Sequence, residues 1–148
     1  MKQLLTLSFA FLLSLQSYAT DLYMSRSPAS FPETMLKLQD SIKSHGYTVS
    51  RVQRVDIGLT ASGYKTDKYR VVFYGKADEV AKISKKYPFM IPHLPLKIAI
   101  FAEGEETLLV STSPLLLDEK SSPQLKPILQ QWESDLAKIM AEMRVSSE

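Results

Sequence analysis

The sequence predicts a mixed α+β domain, and three stretches carry that reading. Ser30 to Gly46, SFPETMLKLQDSIKSHG, have helical spacing and a stop signal at each end. Leu96 to Ser113 read as strand, turn and strand, so a hairpin is present. Leu125 to Met143 carry an apolar stripe broad enough that a sheet face or another chain must cover it.

The first helix is punctuated at both ends. Ser30 and Glu33 have capping-box spacing, and Pro32 falls in the first turn, where a missing N–H costs little. Phe31, Met35, Leu38 and Ile42 form the apolar stripe, and Gly46 takes the position after the helix. His45 falls in the last turn, where the dipole favours a cation. YTVSRVQRV follows as a strand, its apolar phase slipping between Val49 and Val52 as at a β-bulge. DIGLTASGYKTD reads as a loop with room for one helical turn. KYRVVFYG is the next strand; Tyr69, Val71 and Phe73 share one face, and the face bearing Arg70, Val72 and Tyr74 is expected to be the wetter. ADEVAKISKKYP reads as a short helix with acids early, lysines late and Pro88 as its stop.

KYPFMIPHLPLKIAIF then holds the chain extended through Pro92 and Pro95, because residues before proline avoid the helical region. LKIAIFAE and TLLVSTS pair through a turn containing Gly104. PLLLDEKSSP is a linker, and residues 123–148 form the C-terminal helix, opened by Pro123 after Ser122. That helix packs on the domain, residues 20–122, or on a dimer partner. Its stripe runs through Leu129, Trp132, Leu136, Ile139 and Met140.

The N-terminus reads as an address. Lys2 precedes an apolar core, Leu4 to Leu15, and Ser17-Tyr18-Ala19 ends residues 1–19 as a signal peptide cut before Thr20. The core is too short to span a bilayer, which takes about 20 residues. No membrane span is expected after signal removal, and the location expected is periplasmic or secreted. The chain has no cysteine, which excludes disulfides and thiol chemistry.

The order and spacing of PETMLKLQDSIKSHGY, RVD, YRVVFYGKAD and LPLKIAIFAE resemble the family known as domain of unknown function 302, over about residues 24–117. The resemblance implies a two-layer α+β sandwich, with an antiparallel sheet of about four to five strands and helices packed on one face. The long C-terminal amphipathic helix lies outside the shared region. The resemblance also implies a homodimer, and it implies no function. Leu94-Pro95 leads into a strand in the family, so the prolines here read as architecture.

Charge is uneven. Arg51 to Lys86 hold nine basic residues against four acidic, and Ala102 to the end four against nine. Arg51, Arg54, Lys65, Lys68 and Arg70, with Tyr64, form the candidate ligand site, suited to a small anion or an acidic protein; nucleic acid does not fit an exported chain. Met90 and His93 are weak metal candidates for a haem or copper carrier, but a proline-held segment does not place both on one face. The chain lacks a Gly-x-Ser-x-Gly motif, a phosphate loop and a dinucleotide fingerprint, so no catalytic residue and no cofactor are assigned. The expected function is a non-catalytic binding module, with homodimeric or partner-protein assembly as the alternative.

Overall fold

The computed structural model describes residues 21–120 and 122–144, so the signal segment and the last four residues lie outside the described residues. Five strands form one antiparallel sheet: β1 (Leu22–Ser27), β2 (Thr48–Arg54), β3 (Tyr69–Gly75), β4 (Leu96–Glu103) and β5 (Glu106–Thr112). Their order is β1-β5-β4-β3-β2. Helices α1 (Phe31–Ser44), α3 (Ala77–Lys86) and α4 (Lys126–Glu142) contribute to one core, and a short α2 (Val55–Ala61) leads out of β2. This is the expected two-layer α+β sandwich with its C-terminal helix.

The local signals act as read in several places. The Ser30 N–H and hydroxyl both donate to Glu33 Oε2, at 3.0 and 2.6 Å, and hold the start of α1. Gly46 takes φ +82° after the helix, a conformation that a side chain disfavours. The β2–β3 register shifts between Val49 and Arg51, which is the bulge that the apolar phase demands. Glu103 pairs with Glu106, so Gly104 and Glu105 alone make the β4–β5 turn, and Gly104 supplies its φ of +62°.

Four expectations need correction. β1 was not foreseen: LYMSRS shows no apolar alternation, because its inward residues are Ser25 and Ser27 rather than aliphatic. Pro88–His93 is a 3₁₀ helix, not an extended run, although Leu94 before Pro95 is extended at φ −112° and ψ 145°. Helix α4 begins at Lys126 rather than Pro123, and the Ser122 hydroxyl donates to Tyr87 Oη at 3.1 Å instead of capping it. The face of β3 bearing Val72 and Tyr74 is the buried one, at 0 % and 2 % exposed. Arg70 is on that face because it has a carboxylate there, Asp56 of α2.

The core lies between that sheet face and the helices. Val72, Ile98, Ile100 and Leu109 meet Leu38, Ile42, Trp132, Leu136 and Ile139. Trp132 is buried and its indole N–H donates to Glu79 at 2.7 Å, which satisfies the one polar atom that the ring takes inside. Small buried hydroxyls stitch the β1 side: Ser25 donates to the Met140 carbonyl at 2.8 Å and Thr107 to the Ala29 carbonyl at 3.1 Å.

Candidate functional site

The basic residues singled out in the sequence do not converge. Arg51 faces Phe73 in register and Arg54 faces Arg70, so the two arginines of β2 point to opposite faces of the sheet. Tyr64, Lys65 and Lys68 are exposed between α2 and β3. Arg70 is mostly buried and committed: its guanidinium bonds Asp56 and the Tyr69 carbonyl and sits 5.8 Å from the Phe31 ring. The fold brings together Arg54 and Arg70 as cross-strand neighbours, with Asp56 compensating Arg70.

A cavity forms elsewhere, at the end of the sheet where β4 begins and β5 ends. The reason is in the chain. Segments that open on proline stand on both sides of the hairpin, and each turns into a 3₁₀ helix: Pro88–His93 before β4 and Pro114–Lys120 after β5. Neither can join the sheet, so they stand off from it and leave about 420 Å³ between them, the strand ends and α4. Leu96, Leu117 and Leu136 supply apolar wall, and Phe89 and Leu116 lie half-exposed at the rim. Lys97 and His93, both exposed, add positive and titratable groups.

Tyr74 lines this cavity and is 2 % exposed. Its ring meets Tyr47 edge to face at 5.4 Å. Among the described residues the Tyr74 hydroxyl has no hydrogen-bond partner, yet no fully enclosed side-chain oxygen or nitrogen lacks one. Its hydroxyl therefore keeps contact with open space, and the space that Tyr74 lines is the cavity. Burial, aided by the nearby Asp135 carboxylate, pushes its pKa well above the usual phenol value, so it stays a neutral donor.

Behind the cavity lies a closed polar group. Asp135, buried on α4, accepts from Tyr47 at 2.7 Å and from Gln131 at 2.9 Å. Burial opposes its ionisation, but those two hydrogen bonds and the fields of Lys138 and His45 outweigh it, and the carboxyl sits below its usual range. Glu133 is likewise occupied, by Tyr23 at 2.5 Å and Ser113 at 2.6 Å. That bond, more than burial, raises the Tyr23 phenol to about 12.

The Met90 and His93 pair does not converge either. Met90 is fully buried while His93 is exposed, so a 3₁₀ turn that brings residues three apart near one face still gives them different surroundings. No group of three or more His, Cys, Asp or Glu placed to hold a metal occurs among the described residues. His45, read as a helix-end cation, places Nε2 2.8 Å from Glu142 Oε1 and so ties α1 to α4. Sequence reasoning missed the cavity residues Tyr74, Lys97 and Leu117. The prolines on both sides of a predicted hairpin were the available signal.

A family model described as domain of unknown function DUF302 matches residues 23–143, so the shared region runs past the expected 24–117 and includes the C-terminal helix, which was expected to lie outside it. The crystal structure of an uncharacterized conserved DUF302 protein from Bacillus stearothermophilus superposes with a TM-score of 0.75, covering 85 % of this chain and 100 % of that one. The two are 23 % identical, so the likeness speaks for the fold. No curated protein matches the chain.

Proposed function

Starting from the fact that the chain belongs to the DUF302 family, domains of unknown function, we propose that it is an exported, non-catalytic binding module whose ligand site is the cavity beside the β4–β5 hairpin. The observation that carries this is the Tyr74 hydroxyl. That donor opens on the cavity and has no protein acceptor among the described residues, so an acceptor on a bound molecule can take its proton in place of water. The cavity volume falls within the range of about 300–1,000 Å³ in which small-molecule sites occur, and its apolar wall with a few polar groups has the usual composition of such sites.

Ligand-observed NMR with one-ring fragments tests the reading. Fragments should bind the wild-type chain and lose binding in Leu116→Trp, which fills the rim from a half-exposed position. Binding that survives in the variant, or no binding by any fragment, rejects the cavity as the site. Export is tested by N-terminal sequencing of the protein recovered from outside the cytoplasm, which should begin at Thr20; a retained Met1 rejects it.

The second reading, assembly with another copy, rests on a different observation. All the core helices pack on one sheet face, and the other carries Met24, Val110, Ala99 and Val71 across four strands, flanked by Phe73, Phe101 and Leu108. An exposed antiparallel face normally alternates to polar residues. Charge lies at its ends: Glu103, Glu105 and Glu106 at the hairpin tip, with Arg26 bonded to Glu103, and Lys97 and Arg51 at the opposite end. Two copies stacked face to face and reversed would set unlike ends together. Equilibrium sedimentation should give twice the monomer mass for wild type and the monomer mass for Val110→Glu. A wild-type monomer at micromolar concentration rejects this reading.

A further inference from the structure

We infer that the ligand is a small organic acid: a ring-sized apolar body, one anionic group held at the mouth by Lys97 and His93, and a hydrogen-bond acceptor at its inner end facing the Tyr74 hydroxyl. The inference rests on the cavity being the ligand site, and it adds the chemical class.

Charge decides the outer end. Lys97, at the strand end and on the sheet face opposite Tyr74, lines the cavity with His93; among the described residues no Asp or Glu lines it, and neither Lys97 nor His93 has an ion-pair partner. The two nearest acids of α4 are spent. Glu133 accepts from Tyr23 and Ser113, and Asp135 from Tyr47 and Gln131. An anion at the mouth thus meets positive charge without a competing carboxylate.

Donor inventory decides the inner end. The Ser111 hydroxyl proton goes to the Lys97 carbonyl at 2.8 Å and that of Ser113 to Glu133 at 2.6 Å. Tyr47 spends its proton on Asp135. Tyr74 alone of these buried hydroxyls keeps a proton to give, and burial keeps it protonated at any physiological pH. The matching ligand group is an acceptor, such as a hydroxyl, ether or carbonyl oxygen. Phe89, Leu96, Leu117 and Leu136 leave a ring or a short alkyl chain as the body between the two ends.

Isothermal titration of the full chain with 3-(4-hydroxyphenyl)propionate, its primary amide and 3-phenylpropionate separates the terms. The hydroxy acid should bind tightest. The amide should bind up to about fivefold more weakly, a gap that closes in Lys97→Ala. The deoxy acid should bind about three- to tenfold more weakly, a gap that closes in Tyr74→Phe, with thermal melting confirming that both variants fold. If Tyr74→Phe does not fold, the three-compound ranking on wild type still decides. Equal affinity for all three overturns the assigned class while the cavity stands as a site. Binding by none of them, in a chain that does bind uncharged one-ring fragments, also overturns the class; binding by neither set overturns the cavity reading as well.

Discussion

The two faces of the sheet hold similar residues in different surroundings. On β4, Ile98 and Ile100 are fully buried, while Ala99 and Phe101 between and beyond them are only half-buried. On β5, Leu109 is fully buried and its neighbours Leu108 and Val110 are not. Side-chain direction alternates along a strand, so the strand alone does not say which row the helices cover. The difference teaches that apolar content locates a strand, whereas burial is decided by where α1 and α4 land.

Breaking the covered side should cost most. Trp132→Ala should lower stability by about 3–5 kcal/mol, read as a lower urea midpoint. An unmoved midpoint would mean that α4 does not hold the sheet. On β4, Ile98→Ala should cost about 2–5 kcal/mol. On the open face, Val110→Ala should stay near 0.5 kcal/mol, as surface changes usually do. Comparable losses at Ile98 and Val110 in the monomer would show that the open face is covered.

Next come the ion pairs that join elements. Asp56→Asn leaves Arg70 without its carboxylate and should cost about 1–2 kcal/mol, reduced from the value of a fully desolvated pair by partial exposure. Asp56 is held below the usual carboxylate range by the Arg70 hydrogen bond. Glu142 is held low too: burial opposes its charge, but the bonds from Ser41 and His45 outweigh it. With Asp135, these groups bind a proton less tightly in the folded chain than in the unfolded one. Their stabilisation is therefore complete above the ordinary carboxylate pKa of about 4 and is lost as pH falls below it. Tyr47 and Tyr74 behave in the opposite sense. Burial raises both phenols, with the Asp135 hydrogen bond adding at Tyr47, so their contribution is full below pH about 10 and fades above it. A urea midpoint flat between pH 2 and 4 would contradict the first window, and one flat above pH 10 the second. The smallest effect should be at Arg51→Ala, within about 0.5 kcal/mol. Sulfate and phosphate should shift the melting temperature of wild type and of that variant equally; a shift lost in the variant would return the ligand site to the basic segment.

The elements that rest on local physics were legible in the sequence. The capped α1, the bulge in β2, the glycine turn between β4 and β5 and the apolar stripe of α4 each follow from residues close together in the chain. Tertiary contacts decided the rest. Arg70 made its face of β3 look wet, and the Asp56 that lets it lie inward comes from α2, the short helix before β3, which the chain folds back against that strand. β1 shows no apolar row because its inward residues are serines: Ser25 is satisfied by the Met140 carbonyl of α4, more than a hundred residues away, and Ser27 accepts from Thr34 of α1. The prolines around the hairpin could be read as architecture, but not as two walls of one cavity. That required Tyr74 from β3, Leu136 from α4 and Lys97 from β4 to meet, and no spacing within the chain encodes the distance between them.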